Sequence, residues 1–147
     1  RQLDRAAALR PDLVTLSVGP NDITAGRSPE AFGRDMAAIL GRLVEETSAV
    51  IVVNSIPDLA VSPLLPPELR ALATAAVTGF NAALRGAAPG PVTLVDLYLP
   101  SQREVPRRPE LLGGDYYHPS DEGYARWAEV MWRGVAPAIP GEAAEGR

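Results

Sequence analysis

The sequence predicts an α/β protein in which a parallel sheet carries helices on both faces. Short, nearly continuous apolar segments alternate along the chain with long segments whose apolar residues recur at the helical period. Strands that are apolar throughout are typical of parallel sheets, because helices cover both faces of such sheets. Parallel strands need crossover helices between them, so the alternation predicts a three-layer α/β/α architecture.

Three segments have the composition of buried strands. They are DLVTLSV (12–18), AVIVVNS (49–55) and PVTLVDLY (91–98). We expect residues 12–18, 49–54 and 92–97 to pair as adjacent parallel strands of one sheet.

Three longer segments are predicted to be helices, at 28–46, 66–85 and 120–136. In the first, Ser28 is a favourable N-cap and Pro29 suits the first helical position. Its apolar residues follow the helical period and would form one stripe that faces the sheet, at positions 32, 36, 39, 40, 43 and 44. In the last, Tyr124, Trp127, Val130 and Met131 fall on one side.

The two ends of the chain have their own compositions. The opening QLDRAAALR (2–10) is rich in helix formers and resembles the second half of a helix, so we expect the chain to be part of a longer protein. Residues 137–147 are mostly Pro, Gly, Ala and Glu, which predicts a frayed tail after a domain at 1–136.

Composition excludes several classes of function. The 147 residues suffice for one domain, and the net charge of −4 without long runs of like charge does not fit a nucleic-acid partner. No apolar run approaches the ~18 residues of a membrane span. With no cysteine, one histidine and scattered carboxylates, the sequence predicts neither a metal site nor any cofactor.

Polar loops follow the predicted strands at 19–28, 54–66 and 97–120. Ligands of open parallel sheets bind beyond the carboxyl ends of the strands, so these loops are where we expect the site. The first loop begins Gly19-Pro20-Asn21-Asp22. An asparagine amide at a strand end can donate a hydrogen bond to an oxyanion, although an ordinary Asx turn would use the same residues.

The third loop ends in GGDYYHPS, which contains His118, the sole histidine of the chain, three residues after Asp115. A carboxylate at this spacing can fold back onto the imidazole within a turn. The pair alone is a weak motif, and its meaning depends on the other motifs of the chain.

Together, Gly-x-Asn-Asp after one strand and Asp-x-x-His-Pro before the last helix resemble the SGNH hydrolases, or GDSL esterase/lipase family. IPDL (56–59) also matches a stretch common in bacterial members. The resemblance extends to about residue 136 and implies a flavodoxin-like α/β/α fold that hydrolyses small-molecule esters. It implies that Asn21, with Gly19 beside it, belongs to the oxyanion hole, and that Asp115 and His118 complete a Ser–His–Asp triad.

The nucleophile of this family belongs to a Gly-Asp-Ser block on the first strand, and the sequence contains no Gly-Asp-Ser. Ser17 lies within a predicted strand, Ser28 and Ser120 suit helix caps, and no other serine stands in a glycine-bounded turn. We therefore expect the chain to be the C-terminal portion of such a hydrolase, inactive alone, with its serine upstream of residue 1.

Two other functions stay open at this point. A non-catalytic family member could bind an ester or carbohydrate, and a flavodoxin-like or receiver-type domain could bind a phosphate group. Around the expected cleft, SPLLPPEL (62–69) offers an apolar rim, although a surface loop packed on its own helix explains these residues equally well. Tyr116 and Tyr117 flank the histidine. Three arginines could bind an anionic substrate, although a solvated loop is the better explanation of them: Arg103, Arg107 and Arg108.

Overall fold

The computed structural model of the chain describes residues 2–139, which form three strands and six α-helices. In chain order these are α1 (Gln2–Ala8), β1 (Leu13–Leu16), α2 (Pro20–Thr24), α3 (Pro29–Glu46), β2 (Val50–Asn54), α4 (Pro67–Ala87), β3 (Val92–Val95), α5 (Tyr98–Glu104) and α6 (Asp121–Val135). Short 3-10 turns follow β2 (Leu59–Val61), α5 (Val105–Arg107) and α6 (Ala136–Ala138). Another 3-10 turn, Pro109–Leu111, precedes the loop that carries the histidine.

The three strands pair in the order β1-β2-β3, and both pairs are parallel. Ile51 at the centre of β2 aligns with Val14 of β1 and with Val92 of β3. The prediction of adjacent parallel strands is therefore confirmed. β1 and β3 end two residues earlier than predicted, at Leu16 and Val95, whereas β2 ends at Asn54 as predicted.

Helices cover both faces of the sheet. Ile51 and Val53 belong to a buried core with the apolar stripes of α3 and α4. Val52 points the other way, where a Cβ on Gly134 of α6 would lie only 3.2 Å from it. The predicted three-layer architecture is thus confirmed, with α3 and α4 on one face and α6 on the other.

Two of the long helices begin at the serines that the sequence offers as N-caps. The Ser28 hydroxyl accepts a hydrogen bond from the Ala31 amide at 3.2 Å, and the Ser120 hydroxyl accepts one from the Gly123 amide at 3.1 Å. The stripe of α3 is buried at Phe32, Met36, Leu40 and Leu43. Burying one such side chain contributes about 1.5–3 kcal/mol.

Two segments predicted as loops contain helices. α2 lies within 19–28, where Pro20 presets the backbone for a first helical position. α5 lies within 97–120, and the Asp96 carboxylate accepts hydrogen bonds from the first amides of that turn, including Tyr98 N at 2.9 Å. The sequence predicts Asp96 within the strand 92–97, whereas its carboxylate caps α5 in the structure.

The predicted tail is only partly described. Ala136–Ala138 continues from α6 as a 3-10 turn, and residues 140–147 lie outside the described residues. Within residues 2–139 no helix is long and apolar enough to cross a membrane.

β1 forms one edge of the sheet, and its face on the α6 side is uncovered. Thr15 aligns with the fully buried Val52 yet is itself exposed, and Leu13 on the same face is 37% exposed. α6 therefore covers this face over β2 and β3 but does not reach across β1.

Candidate active site

The Asp115 and His118 side chains meet, as the sequence predicts. Nδ1 of His118 lies 2.7 Å from Oδ2 of Asp115, which is a short, charge-assisted hydrogen bond. The His118 side chain is 62% exposed, so α6 does not bury the ring. In this geometry the carboxylate selects the tautomer with a proton on Nδ1 and leaves Nε2 as a base.

The second oxygen of Asp115 organises the turn. Oδ1 accepts hydrogen bonds from the backbone amides of Tyr117 at 3.0 Å and His118 at 2.9 Å. The hydrogen bond from His118, followed by these two amides, lowers the pKa of Asp115 from 3.8 to about 2. Asp115 is therefore ionised at neutral pH and can stabilise a positive charge that forms on the imidazole.

The backbone closes this turn in a tight loop. The Gly113 amide donates to the His118 carbonyl at 2.7 Å, and Leu112 and Pro119 form an isolated antiparallel bridge. Tyr116 adopts the left-handed conformation, with φ of 52°, and its carbonyl accepts a hydrogen bond from the Ser62 hydroxyl at 2.8 Å. A left-handed non-glycine residue costs energy, and the surrounding hydrogen bonds hold it in place.

Gly123 in the first turn of α6 lets the helix approach this loop. A Cβ there would overlap the Leu111 carbonyl oxygen and lie 2.9 Å from the Pro119 side chain. Nothing near Gly123 in the sequence shows this need, because a glycine in the first turn of a helix is only a weak signal of a close contact.

Gly19 and Asn21 stand at the carboxyl end of β1. Gly19 is buried with φ of 120°, a conformation that L side chains rarely adopt. Asn21 is exposed in the first turn of α2, and its amide makes no hydrogen bond within residues 2–139. Asp22 pairs with Arg27 at 2.8 Å, so neither side chain forms the alternative Asx turn.

One cavity of about 370 Å³ brings these groups together, because Gly19, Asn21 and His118 all line it. Its volume is at the lower end of the range for small-molecule sites. Most of its wall is apolar and comes from the 3-10 turn after β2, from the residues that flank α5, from the 3-10 turn before the histidine loop and from α6. The residues that contribute this surface include Leu59, Val61, Leu97, Val105, Leu111, Trp127 and Val130.

Comparison with known proteins decides the family. The model of the GDSL-like Lipase/Acylhydrolase family matches residues 1–126. The chain belongs to this family. It is also 35% identical over 133 residues to the GDSL-like esterase Rv1075c of Mycobacterium tuberculosis, an alignment of 88% of this chain and 41% of that protein. The resemblance drawn from the motifs is confirmed, membership of the GDSL family supports a hydrolase function, and the chain spans under half the length of this relative.

Three serines line the cavity of this GDSL-family chain, namely Ser17, Ser62 and Ser101. The hydroxyls of Ser62 and Ser101 each donate to a main-chain carbonyl at 2.8 Å. Throughout residues 2–139 no serine hydroxyl is hydrogen bonded to His118, so the described part of the chain contains no assembled nucleophile–base pair.

The two tyrosines beside the histidine differ. Tyr116 is 46% exposed at the cavity. The ring of Tyr117 contacts the His118 ring edge to face, with centroids 4.9 Å apart. Its hydroxyl is buried and has no hydrogen-bond partner among residues 2–139. Burying an unpaired hydroxyl costs about 1–3 kcal/mol, so this hydroxyl group lowers stability.

Other candidate residues lie away from the cavity. Arg108 pairs with Glu110 at 3.0 Å, and neither it nor Arg103 or Arg107 lines the cavity, which agrees with a solvated loop. Of residues 62–69 only Ser62 lines it, and Leu64 is 63% exposed. Residues 2–139 contain no group of three or more carboxylate and imidazole side chains that could hold a metal ion.

Proposed function

We propose that this chain supplies the base, its carboxylate partner and one oxyanion donor of a serine ester hydrolase. The nucleophilic serine would come from sequence upstream of residue 1. The observation that carries the proposal is the Asp115–His118 hydrogen bond of 2.7 Å at the edge of a cavity that Asn21 also lines. A base held by a carboxylate next to an amide donor is the arrangement that acyl transfer requires.

In the proposed reaction, Nε2 of His118 takes the proton of the serine hydroxyl as its oxygen bonds to the ester carbonyl carbon. The imidazolium is stabilised by ionised Asp115 and then gives the proton to the departing alkoxide. In the second half, His118 takes a proton from water, which attacks the acyl-enzyme. The serine oxygen then leaves with the proton that His118 returns.

Asn21 would stabilise the negative charge that develops on the carbonyl oxygen. Its amide is exposed to the cavity edge and has no partner among the described residues, so it is free to donate. Gly19, two residues earlier at the end of β1, lines the same cavity. One donor of this kind contributes about 3–4 kcal/mol to the transition state.

Four observations support an upstream serine. The sequence contains no Gly-Asp-Ser, and no serine among the described residues reaches His118. The chain aligns with only 41% of its mycobacterial relative. The edge of β1 and its face around Thr15 are uncovered, and a further parallel strand and helix would bury them.

The cavity favours an uncharged ester. The charged side chains in its wall already have partners: Arg126 binds Glu104 through two hydrogen bonds of 2.7 and 2.8 Å, and Asp22 pairs with Arg27. The buried Asp58 accepts from Gln102 at 3.1 Å. An anionic acyl group would therefore enter an apolar site whose one arginine among residues 2–139, Arg126, is already paired, which is costly, so the cavity favours an uncharged ester over an anionic one.

Kinetics of the chain extended upstream through its serine block test the proposal. His118→Ala should lower kcat toward a neutral aryl ester by several orders of magnitude, because base and nucleophile act as a unit. Asn21→Ala should lower it roughly a hundred- to a thousandfold. Arg103→Ala, a substitution away from the cavity, should leave kcat unchanged. An extended protein that binds esters but does not hydrolyse them would instead indicate a non-catalytic ligand-binding member.

A further inference from the structure

Asn81 is a polar residue in the interior of α4, where it is only 3% exposed. Its amide makes two hydrogen bonds with the backbone of one residue: Oδ1 accepts from the Ile56 amide at 2.7 Å, and Nδ2 donates to the Ile56 carbonyl at 2.9 Å. Ile56 lies just beyond β2, where the sheet no longer pairs its backbone. The Asn81 amide thus replaces a strand partner at the point where the chain turns toward the site.

Ile56 in turn lies directly beneath Gly19. Ile56 is fully buried, and a Cβ on Gly19 would overlap its Cδ1 and Cγ1 atoms. The Gly19 backbone therefore rests on this side chain with no space between them. Asn21 follows two residues later in the first turn of α2. A shift of Ile56 would therefore move Gly19 and, with it, the Asn21 side-chain amide.

We propose that Asn81 is a positioning residue for the oxyanion donor. By hydrogen bonding to both backbone groups of Ile56, Asn81 fixes the position of the Ile56 side chain. The Gly19 backbone packs on that side chain, so Asn81 also fixes the location of Asn21. The inference rests on the proposed role of Asn21. A donor is effective only at about 2.7–3.1 Å from the oxyanion, and a displacement of ~1 Å can cost roughly a hundredfold in rate.

A purely structural role for Asn81 makes a different prediction. Asn81→Leu keeps the approximate volume but leaves the amide and carbonyl of Ile56 buried without partners, so it destabilises the protein under either account. Only a positioning role makes its effect on kcat depend on the presence of the Asn21 side chain.

The test is a double-mutant cycle in the upstream-extended protein, with a neutral p-nitrophenyl ester as the probe. Asn81→Leu should lower kcat roughly ten- to a hundredfold with KM within about twofold. In the Asn21→Ala background, the same substitution should lower kcat by less than about twofold, because the group it positions is gone. Leu84→Ala, one turn further from the site in the same core, is the matched control and should lower Tm without lowering kcat of the folded enzyme.

The outcomes separate this inference from the proposed function. Suppose that Asn21→Ala loses activity and that Asn81→Leu has either no effect on kcat or an effect that is the same with and without Asn21. This result overturns the positioning role of Asn81 and leaves the proposed function intact. Full activity of Asn21→Ala removes the oxyanion assignment and the inference with it.

If Asn81→Leu does not fold, Ile56→Val decides: it keeps both hydrogen bonds and removes only Cδ1, which lies under Gly19. A several-fold lower kcat that vanishes without Asn21 supports the inference, and an unchanged kcat overturns it.

Discussion

Gly123→Ala should destabilise the protein, although glycine to alanine in a helix normally stabilises it. Alanine gains about 0.8–1.0 kcal/mol over glycine from helix propensity. Here the new Cβ would overlap the Leu111 carbonyl oxygen, which is backbone and cannot rotate away. Overpacking of this kind costs about 1–3 kcal/mol. The Leu111 carbonyl also accepts a hydrogen bond from the Ser120 backbone amide at 3.0 Å, and the loss of that bond would cost a further ~1 kcal/mol. The net loss of unfolding free energy should be about 1–3 kcal/mol.

The assay is urea unfolding of the upstream-extended protein, with Gly41→Ala as the matched control. Gly41 also lies inside a long helix, but a Cβ there meets nothing within 4 Å, so this variant should gain about 0.5–1 kcal/mol. A Gly123→Ala protein as stable as the Gly41→Ala protein would refute the close contact between α6 and the histidine loop. Since Pro119 adjoins His118, the destabilised variant should also lose kcat.

Three further predictions concern the turn around the histidine. Asp115→Asn in the extended protein should lower kcat by roughly 10³–10⁴, because the amide carries no charge to stabilise the imidazolium, and steady-state kinetics measures the loss. The pKa of Asp115 is about 2 instead of 3.8, so the stability that its ionised form contributes is complete above about pH 4 and is lost as pH falls through 2. Carboxyl-carbon NMR titration should show a midpoint near 2, and a midpoint near 4 would contradict the hydrogen-bonded turn. Tyr117→Phe should leave the stability unchanged or raise it by up to ~1–3 kcal/mol in thermal unfolding, because it removes a buried hydroxyl that has no hydrogen-bond partner among residues 2–139. A marked loss of stability would show that the hydroxyl does have a hydrogen-bond partner.

The three strands, the long helices α3, α4 and α6, and the pairing of Asp115 with His118 could be predicted because their signals are local. Buried strands, capped amphipathic helices and a carboxylate three residues before a histidine can each be read within a short window. Asn21 and Gly19 were singled out in the same way, from a motif that follows directly on a strand, and their role in the oxyanion hole stays a prediction that the family resemblance implies.

The residues that support the site could not be found from such windows. Asn81 and Ile56 are 25 positions apart, and nothing near either residue shows that one amide satisfies the backbone of the other. The need for Gly123 arises from the Leu111 carbonyl, 12 positions earlier, through a contact that exists only after α6 docks. A polar residue in a helix interior or a glycine in a first turn is weak evidence until the tertiary contacts are known.

Covalent labelling with a fluorophosphonate, followed by peptide mapping, tests the central claim most directly. The claim is that this chain holds the base and an oxyanion donor, while the attacking serine lies upstream of residue 1. The chain extended upstream should be labelled stoichiometrically at one serine in a Gly-Asp-Ser block, labelling should be lost in His118→Ala, and the 147-residue chain should stay unlabelled. Stoichiometric labelling of the 147-residue chain at Ser17, Ser62 or another of its own serines would contradict the account.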